Sequence, residues 1–245
     1  MNELNEKWLP VNLPSKCLTY PDVDKSKIMI RTLKGKDEKL ISEISGDNFE
    51  KKFLMILKSV LQGVDVEKLT LGDRLFVSIW EAMNSYSPNF TLKHECEHCY
   101  QKSEFNVDLS TLDVIELPDD FKQPYEIKLP KSGDVVKVRL LTVADMIKVD
   151  EMNKSGQNVW LFRYALALTY PELNSFQKME YLENLPVSDL ALIRAFHDKF
   201  YHGPKMESKY ECPNCGGTGV MPVPFRLEML FPYGDSLTRN FGNTI

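Results

Sequence analysis

Four of the five cysteines have the spacing of metal ligands. Cys96 and Cys99 form one C-x-x-C pair, Cys212 and Cys215 form a second, and Cys17 stands alone. Two such thiolate pairs suit a tetrahedral structural zinc, because a two-residue spacer lets one tight turn direct both sulfurs at the same ion. The sequence therefore predicts one structural zinc per chain held by the two pairs, and it leaves Cys17 as a buried or incidental thiol.

The distance between the two pairs along the chain is unusual for such a site. Between Cys99 and Cys212 lie 112 residues, whereas the pairs of a compact zinc ribbon are separated by about 15–20. One shared site, with a whole structural unit inserted between the pairs, is the favoured interpretation. Two alternatives stay open: separate sites completed by His94 or His98 and by His202, or free thiols that bind no metal.

Strand-like segments flank both pairs and would position them. Residues 90–95 and 103–108 surround the first pair, and residues 206–211 and 218–225 surround the second. Alternating apolar side chains after the first pair are typical of a strand with one buried face. Each pair is therefore expected at the tip of a β-hairpin, and the two hairpins together predict a zinc ribbon that is split along the chain.

An internal repeat explains the spacing. Shifted by 116 positions, residues 69–99 align without a gap on residues 185–215, and the seven identities include both cysteines. Shifted by 108 positions, Asp37 falls on Asp145. The order of features is the same in both halves, which favours a repeat. The alternative is a chance resemblance between two knuckles and two ordinary helices.

The repeat sets the predicted fold class and domains. We expect an α+β protein with two similar helix-plus-β-hairpin units, residues 9–110 and 117–225, and a C-terminal tail, residues 226–245, in one compact body. Aromatic residues in and beside the tail would either wrap a neighbouring protein or pack on the parent unit. These aromatic residues are Phe225, Phe231, Tyr233 and Phe241.

Local patterns place the helices and one further hairpin. Segments 125–129 and 135–140 flank a turn-rich stretch and predict a hairpin, and Thr142 is the predicted N-cap of the next helix. Asp73 and Asp189 would cap or begin one helix in each unit. The apolar stripes expected in the core are Phe49, Phe53, Ile56, Leu57 and Val60 in the first unit and Leu192, Ile193, Phe196 and Phe200 in the second.

Composition and charge exclude several classes of protein. The hydrophobic fraction of 43% is that of a globular chain. No apolar run reaches the roughly 18 residues of a membrane helix, and the N-terminus does not resemble a signal peptide. A net charge of -5, with glutamates interspersed among the lysines near both knuckles, disfavours nucleic-acid binding as the function of a ribbon here.

One motif imitates a catalytic site. Residues 94–98 spell the H-E-x-x-H sequence of zinc proteases, which requires a helix so that both histidines share a face. Here the motif follows a strand-like run and overlaps the first cysteine pair. The His-x-Glu element of zinc deaminases is absent. We therefore expect no catalytic residues, no cofactor other than the metal, and exposed positions for His94 and His98.

Several short motifs beyond the cysteines are similar to those of one family. The chain resembles the baseplate hub assembly proteins of T-even-like contractile-tailed phages over about residues 10–225. The motifs that carry the resemblance are LTLGD at 69–73, SYSPNF at 85–90 leading into the first cysteine pair, LPKSGD at 129–134, LTVAD at 141–145, and the second cysteine pair.

The resemblance implies a non-enzymatic morphogenesis protein that acts in the cytoplasm of the infected cell. Its partners would be other hub or tape-measure proteins, without contact with a membrane. It would either remain in the baseplate of the virion tail or leave after assembly. The alternative that the residues themselves leave open is a zinc-ribbon adaptor that binds nucleic acid or the transcription machinery.

Overall fold

Short helices and short strands alternate along the chain. The computed structural model describes residues 7–156 and 158–230, and this part of the chain contains eight α-helices and eleven strands, so the predicted α+β class is confirmed. The helices are α1 (Gly35–Ser42), α2 (Phe49–Val60), α3 (Leu71–Ser85), α4 (Val143–Lys154), α5 (Trp160–Ala167), α6 (Ser175–Glu183), α7 (Val187–Lys199) and α8 (Leu227–Leu230). The strands are β1 (Leu9–Pro10), β2 (Met29–Ile30), β3 (Leu61–Gln62), β4 (Asn89–Glu95), β5 (Lys102–Asp108), β6 (Val114–Ile115), β7 (Tyr125–Lys128), β8 (Val135–Val138), β9 (Gly203–Pro204), β10 (Glu207–Glu211) and β11 (Thr218–Pro222).

The strands form small antiparallel sheets rather than one large sheet. Strand β2 lies between β1 and β3, with Ile30 opposite Leu9 on one side and Leu61 on the other. Strands β4–β5, β7–β8 and β10–β11 are hairpins, as the sequence predicts. The pair β6–β9 joins the segment after the first hairpin to the segment that follows α7.

Helix α2 buries the apolar face that its sequence predicts. Phe53, Ile56, Leu57 and Val60 are each at most 2% exposed. Phe49, at the first turn, is half-buried and stacks on Phe53 with the ring centroids 5.4 Å apart. Burial of each such side chain contributes about 1.5–3 kcal/mol, so this stripe is a main anchor of the first half of the fold.

On α7 the predicted stripe is correct at three positions and wrong at one. Ile193 and Phe196 are buried in the second half of the fold, and so is Phe200 at the end of the helix. Leu192 is 39% exposed, because it lies beside an open groove between α7 and β7 rather than against the core. Helical spacing alone assigns a residue to a face, but it does not say where the neighbouring element stops.

A bidentate arginine–aspartate pair recurs in both halves, 108 positions apart. The Arg31 guanidinium donates to both carboxylate oxygens of Asp37, at 2.8 and 3.2 Å. The Arg139 guanidinium donates to both oxygens of Asp145, at 2.6 and 2.9 Å. Each aspartate lies in the first turn of its helix, α1 or α4, and also accepts from the N-cap backbone N–H. The pair therefore ties each strand to the helix that follows it.

A second aspartate geometry also recurs, 116 positions apart. Asp73 in the first turn of α3 accepts from the backbone N–H of Ser15 at 2.9 Å. Asp189 in the first turn of α7 accepts from the backbone N–H of Lys131 at 3.0 Å. Both aspartates are fully buried. The two halves thus share local geometry at positions that the repeat aligns, while an ancestral duplication and the two unit boundaries remain predictions.

The second cysteine hairpin belongs to the core of the first half. One cluster of buried apolar side chains spans residues 11–112 and also contains Tyr210, Met221 and Val223. A second cluster lies within residues 117–200. A smaller third cluster joins α4 to α5. The chain therefore leaves the first core, builds the second half, and returns to complete the first core with β10–β11.

The predicted tail is described only in its first residues. Helix α8 packs on α3, and its Met229 is buried. Phe225 packs edge-on against Phe53, with the ring centroids 6.1 Å apart. Phe231, Tyr233 and Phe241 lie outside the described residues, and so does the prediction that they wrap a neighbouring protein.

Candidate metal centre

Two hairpin tips of the same geometry carry the four cysteines. In the first, the Cys96 N–H donates to the Gln101 carbonyl at 3.0 Å, and the Tyr100 N–H donates to the Cys96 carbonyl at 2.9 Å. In the second, the Cys212 N–H donates to the Gly217 carbonyl, and the Gly216 N–H donates to the Cys212 carbonyl, at 2.8 and 2.9 Å. These bonds close each tip into a tight turn between its two strands.

The residue after each second cysteine has a left-handed backbone. Tyr100 has φ 57° and Gly216 has φ 71°. This conformation turns the chain back towards the second strand, and glycine adopts it without a steric penalty whereas tyrosine does not. The second knuckle thus uses the expected residue, and the first tolerates an exposed aromatic at the same point of the turn.

The two knuckles bring the four sulfur atoms together. The Cys96 and Cys215 sulfurs are 3.8 Å apart, the Cys99 and Cys212 sulfurs are 3.7 Å apart, and all four lie within 4.8 Å of one another. A tetrahedron with zinc–sulfur bonds of ~2.3 Å has sulfur–sulfur edges of about 3.8 Å. The sulfur positions therefore fit a four-coordinate zinc.

Backbone N–H groups favour negative charge on the sulfurs. The His98 N–H donates to the Cys96 sulfur, and the Gly217 N–H donates to the Cys215 sulfur, both at 3.4 Å. N–H groups of the first knuckle, from Cys99 and His98, lower the pKa of Cys96 to about 6. At Cys215 the N–H acts in the same direction, but burial and the neighbouring thiols outweigh it and raise the pKa to about 12. Without a cation only part of this cluster ionises, whereas a bound divalent cation would stabilise the deprotonated form of all four thiols.

Tyr210 joins the two hairpins beneath the cysteines. Its hydroxyl accepts from the Glu97 N–H at 3.3 Å, and its ring packs edge-on against Phe105 and His94 at centroid distances of 5.1 and 5.0 Å. Directly opposite on β11 is Gly219, where a Cβ atom would lie 2.8 Å from the tyrosine ring. The tyrosine therefore needs a glycine across the ladder, and no short-range pattern in the sequence indicates this pair.

A second contact between the hairpins lies at the knuckles. His98 Nε2 is 3.0 Å from the Thr218 carbonyl oxygen, and a Cβ atom at Gly217 would lie 2.5 Å from the His98 ring. Asn214 donates to the Ser103 hydroxyl at 2.9 Å. The run Gly-Gly-Thr-Gly at 216–219 is the sequence signal for this close approach. Its first glycine has the left-handed backbone of the turn, and its second leaves room for the His98 ring.

The three histidines considered as alternative metal ligands make contacts elsewhere in the structure and are not part of the cysteine cluster. His98 is exposed, as predicted, and contacts β11. His94 was expected to be exposed, and this is wrong: it is half-buried between Phe105 and Tyr210. His202 is 3% exposed, and its two ring nitrogens lie 2.6 Å from the Thr70 hydroxyl and 3.0 Å from a backbone carbonyl.

The H-E-x-x-H sequence lies at the end of β4 and in the first knuckle, not on a helix. Its two histidines therefore do not share a helical face as a protease site requires. Within the described residues, the four cysteines are the one group of three or more histidine, cysteine or carboxylate side chains with metal-binding proximity. No helix in the described part of the chain has the length and hydrophobicity to cross a bilayer.

Both lysines of the β4–β5 hairpin form ion pairs. Lys93 forms an ion pair with Glu104 across β4–β5 at 3.7 Å, and Lys102 forms one with Glu95 at 3.8 Å. Such exposed pairs contribute at most about 1 kcal/mol each. Their effect on recognition is larger, because they leave this hairpin without the stripe of unbalanced cations that a nucleic-acid backbone requires.

Comparison with known proteins gives one family. The family model described as "T4 bacteriophage base plate protein" matches residues 14–232, which include both cysteine pairs. No curated protein and no solved structure matches the chain. The match agrees with the resemblance found in the sequence motifs.

Proposed function

Since this chain belongs to the T4 bacteriophage base plate protein family, we propose that it is a non-enzymatic structural or assembly protein of the tail baseplate hub. It binds other hub or tape-measure proteins during assembly in the host cytoplasm. The observation that carries this proposal is the length of the family match, which spans nearly the whole chain rather than one common motif. The backbone hydrogen bonds that close both knuckles support a scaffold role, because they restrain the two hairpin tips.

We propose that Cys96, Cys99, Cys212 and Cys215 hold one structural zinc as a split zinc ribbon. The support is the close approach of the four sulfurs and the backbone N–H groups directed at two of them. Four protein thiolates fill a tetrahedral zinc, so such a site has no position for water or a substrate. The metal would supply a cross-link, not catalysis.

On this proposal the zinc fastens the hairpin that ends the first unit, residues 9–110, to the hairpin that ends the second, residues 117–225. Because both hairpins pack in the first core, the ion closes the loop that contains the rest of the second unit. The entropy of closing a loop rises only slowly with its length, and binding of a structural zinc supplies roughly 10 kcal/mol or more in small peptides. A connection over this distance along the chain is therefore energetically accessible.

Metal content tests the site. We expect the purified protein to carry about one zinc per chain, and Cys96→Ser and Cys212→Ser to lose it equally. Cys17→Ser is the matched control, because Cys17 is a buried free cysteine outside the cluster, and it should keep the metal. Two zinc ions per chain, or loss confined to one pair, would contradict a shared site.

Complementation tests the assembly role. A phage whose copy of this gene carries a nonsense mutation should accumulate incomplete baseplates, visible by electron microscopy, and the wild-type protein supplied in trans should restore them. The purified protein should also bind recombinant hub or tape-measure proteins. Normal tails without the protein would contradict the assembly role. Salt-sensitive retention of DNA or RNA at physiological ionic strength would instead support the adaptor alternative.

A further inference from the structure

An open groove runs along the edge of the β7–β8 hairpin. It has a volume of about 280 Å³, and one wall consists of all four residues of β7, Tyr125–Lys128. Successive side chains of a strand point to opposite faces of the sheet, so a cavity on one face would be lined by alternate residues. Because consecutive residues of β7 line this cavity, it follows the backbone edge of the strand. The other wall is a single stripe of α7 with the spacing i, i+3, i+4, i+7. This stripe consists of Leu192, Ala195, Phe196 and Lys199.

The hydrogen-bond phase of the hairpin shows which β7 groups face the groove. At the closed end, the Leu129 N–H donates to the Asp134 carbonyl at 2.8 Å. Hydrogen-bonded pairs alternate along an antiparallel ladder, so Ile127 is the next residue of β7 that bonds to β8. The backbone N–H and C=O groups of Glu126 and Lys128 therefore point away from β8 and towards the groove.

The opposite edge of the hairpin, along β8, already has backbone partners, and its hydrogen bonds follow the same alternation. The Thr169 N–H donates to the Lys137 carbonyl at 2.9 Å, and the Arg139 N–H donates to the Ala167 carbonyl at 2.9 Å. Lys137 lies opposite Glu126 in the ladder and directs its carbonyl outward from β8, as the alternation requires. In the described part of the chain, the β7 edge has no backbone partner beyond β8.

The charges at the rim of the groove are predominantly positive. Lys128 and Lys199 are exposed, and neither has a carboxylate within ion-pair distance among the described residues. Lys199 Nζ instead lies over the rings of Tyr125 and Phe200, at 5.9 and 5.2 Å from the centroids. The one acid of the strand, Glu126, pairs with Lys137 on β8 at 3.4 Å. Two cations therefore remain for a ligand.

We propose that this groove binds an extended segment of a partner protein in which apolar and acidic residues alternate, added to β7 as a third strand. The outward N–H and C=O groups of Glu126 and Lys128 supply the main-chain hydrogen bonds. Ile127 points inward and Lys128 outward, so the segment places apolar side chains against Ile127 and Leu192 and carboxylates beside Lys128. This also explains why Leu192 is exposed.

Peptide binding with a residue-specific readout tests the proposal. The probe is a fluorescent, N-acetylated Glu-Val-Glu-Val-Glu-Val peptide, and full-length protein should bind it in the micromolar range. Hydrogen exchange followed by NMR should show slow amide exchange at Glu126 and Lys128 in the complex only, since these N–H groups gain partners on binding. A Lys-Val-Lys-Val-Lys-Val peptide is the charge control and should bind at least 10-fold more weakly.

Two exposed positions of α7 provide matched variants. Leu192→Asp places a charge in the groove and should weaken binding of the Glu-Val peptide at least 10-fold. Val187→Asp adds the same charge at an 81% exposed position outside the groove and should change affinity less than twofold. Lys128→Glu should weaken binding and reduce its dependence on salt. All three side chains are exposed, so the fold should persist.

Several outcomes would overturn the proposal. These are the absence of binding at about 1 mM peptide, equal effects of the two aspartate variants, or binding without protection of the Glu126 and Lys128 amides. Amides already protected in the free protein at every concentration would mean that the chain fills its own groove. Protection that rises with protein concentration would indicate a second copy as the occupant. None of these results depends on the zinc or on baseplate assembly, so failure here leaves the proposed function standing.

Discussion

The two halves place different titratable groups at the same distance along equivalent helices. Glu81 is the eleventh residue of α3, and His197, 116 positions later, is the eleventh residue of α7. Glu81 is influenced by the charges of Arg31 and Asp37, and His197 by the charges of Arg163, Asp198 and Arg139. One buried atom of each, Glu81 Oε1 and His197 Nε2, has no hydrogen-bond partner among the described residues.

Burial shifts the two pKa values in opposite directions. Desolvation raises the pKa of Glu81 to about 8, and desolvation, assisted by the nearby arginines, lowers the pKa of His197 to about 4. Both groups are therefore neutral at pH 7. In both halves burial therefore favours the neutral form of the side chain at this position, whether that side chain is an acid or a base. The consequence is opposite pH sensitivity in the two halves.

The largest expected effect is the loss of the fully buried ion pair. The Arg31 side chain is 2% exposed, whereas that of Arg139 is 29% exposed. Removing one partner of a buried pair leaves an uncompensated charge and costs about 3–5 kcal/mol. Asp37→Asn should therefore lower the free energy of unfolding in urea by about that amount, and Asp145→Asn by roughly half as much. Equal losses would contradict this expectation, because they would mean that exposure of the arginine does not affect the contribution of the pair to stability.

The next effect is the alkaline sensitivity of the first half. The Glu81 carboxyl titrates near 4.5 when unfolded and at about 8 when folded, so its stabilising contribution is complete below pH 4.5 and is lost as the pH rises towards 8. Glu81→Gln removes this titration. The variant should exceed the wild type by roughly 3 kcal/mol at pH 8 and match it near pH 4, as measured by urea unfolding across that range. If the pH dependence of the free energy of unfolding is the same in the variant and the wild type, the Glu81 carboxylate is in contact with solvent in the folded protein.

The smallest effect is the acid sensitivity of the second half. The His197 imidazole titrates near 6.5 when unfolded and at about 4 when folded, so its contribution is complete above pH 6.5 and is lost as the pH falls towards 4. Because the Glu81 titration overlaps this range with the opposite sign, the test is made in the Glu81→Gln background. There, adding His197→Gln should flatten the stability profile between pH 7 and pH 5 by roughly 1 kcal/mol relative to Glu81→Gln alone, after allowance for partial exposure. If His197→Gln instead alters the alkaline limb, the two groups are coupled and the halves are not independent.

The parts of the fold that the sequence predicted are those with a short-range signal. The cysteine hairpins, the β7–β8 hairpin and the Thr142 N-cap each follow from spacing or turn chemistry within about ten residues. The arginine–aspartate pairs were not predicted, although the repeat aligned Asp37 with Asp145. A bidentate contact depends on how the strand and the helix meet, and sequence spacing does not define that angle.

The remaining wrong or absent predictions have a common physical cause. Leu192, expected in the core, and His94, expected in solvent, both depend on contacts with elements that are distant along the chain. The same holds for Tyr210 and Gly219, whose steric match is visible only once β10 and β11 lie against the first hairpin. Periodicity identifies a face of an element, and only tertiary packing determines whether another element covers it.

The return of β10–β11 to the first core has a consequence for synthesis on the ribosome. At about 5–20 residues per second, translation of the 112 residues between Cys99 and Cys212 takes roughly 6–22 s. Throughout that interval the first core lacks Tyr210, Met221 and Val223, and the first thiol pair lacks its counterpart. The N-terminal half therefore emerges first but finishes last, and a nascent chain stalled before Cys212 exposes apolar surface that the completed chain covers.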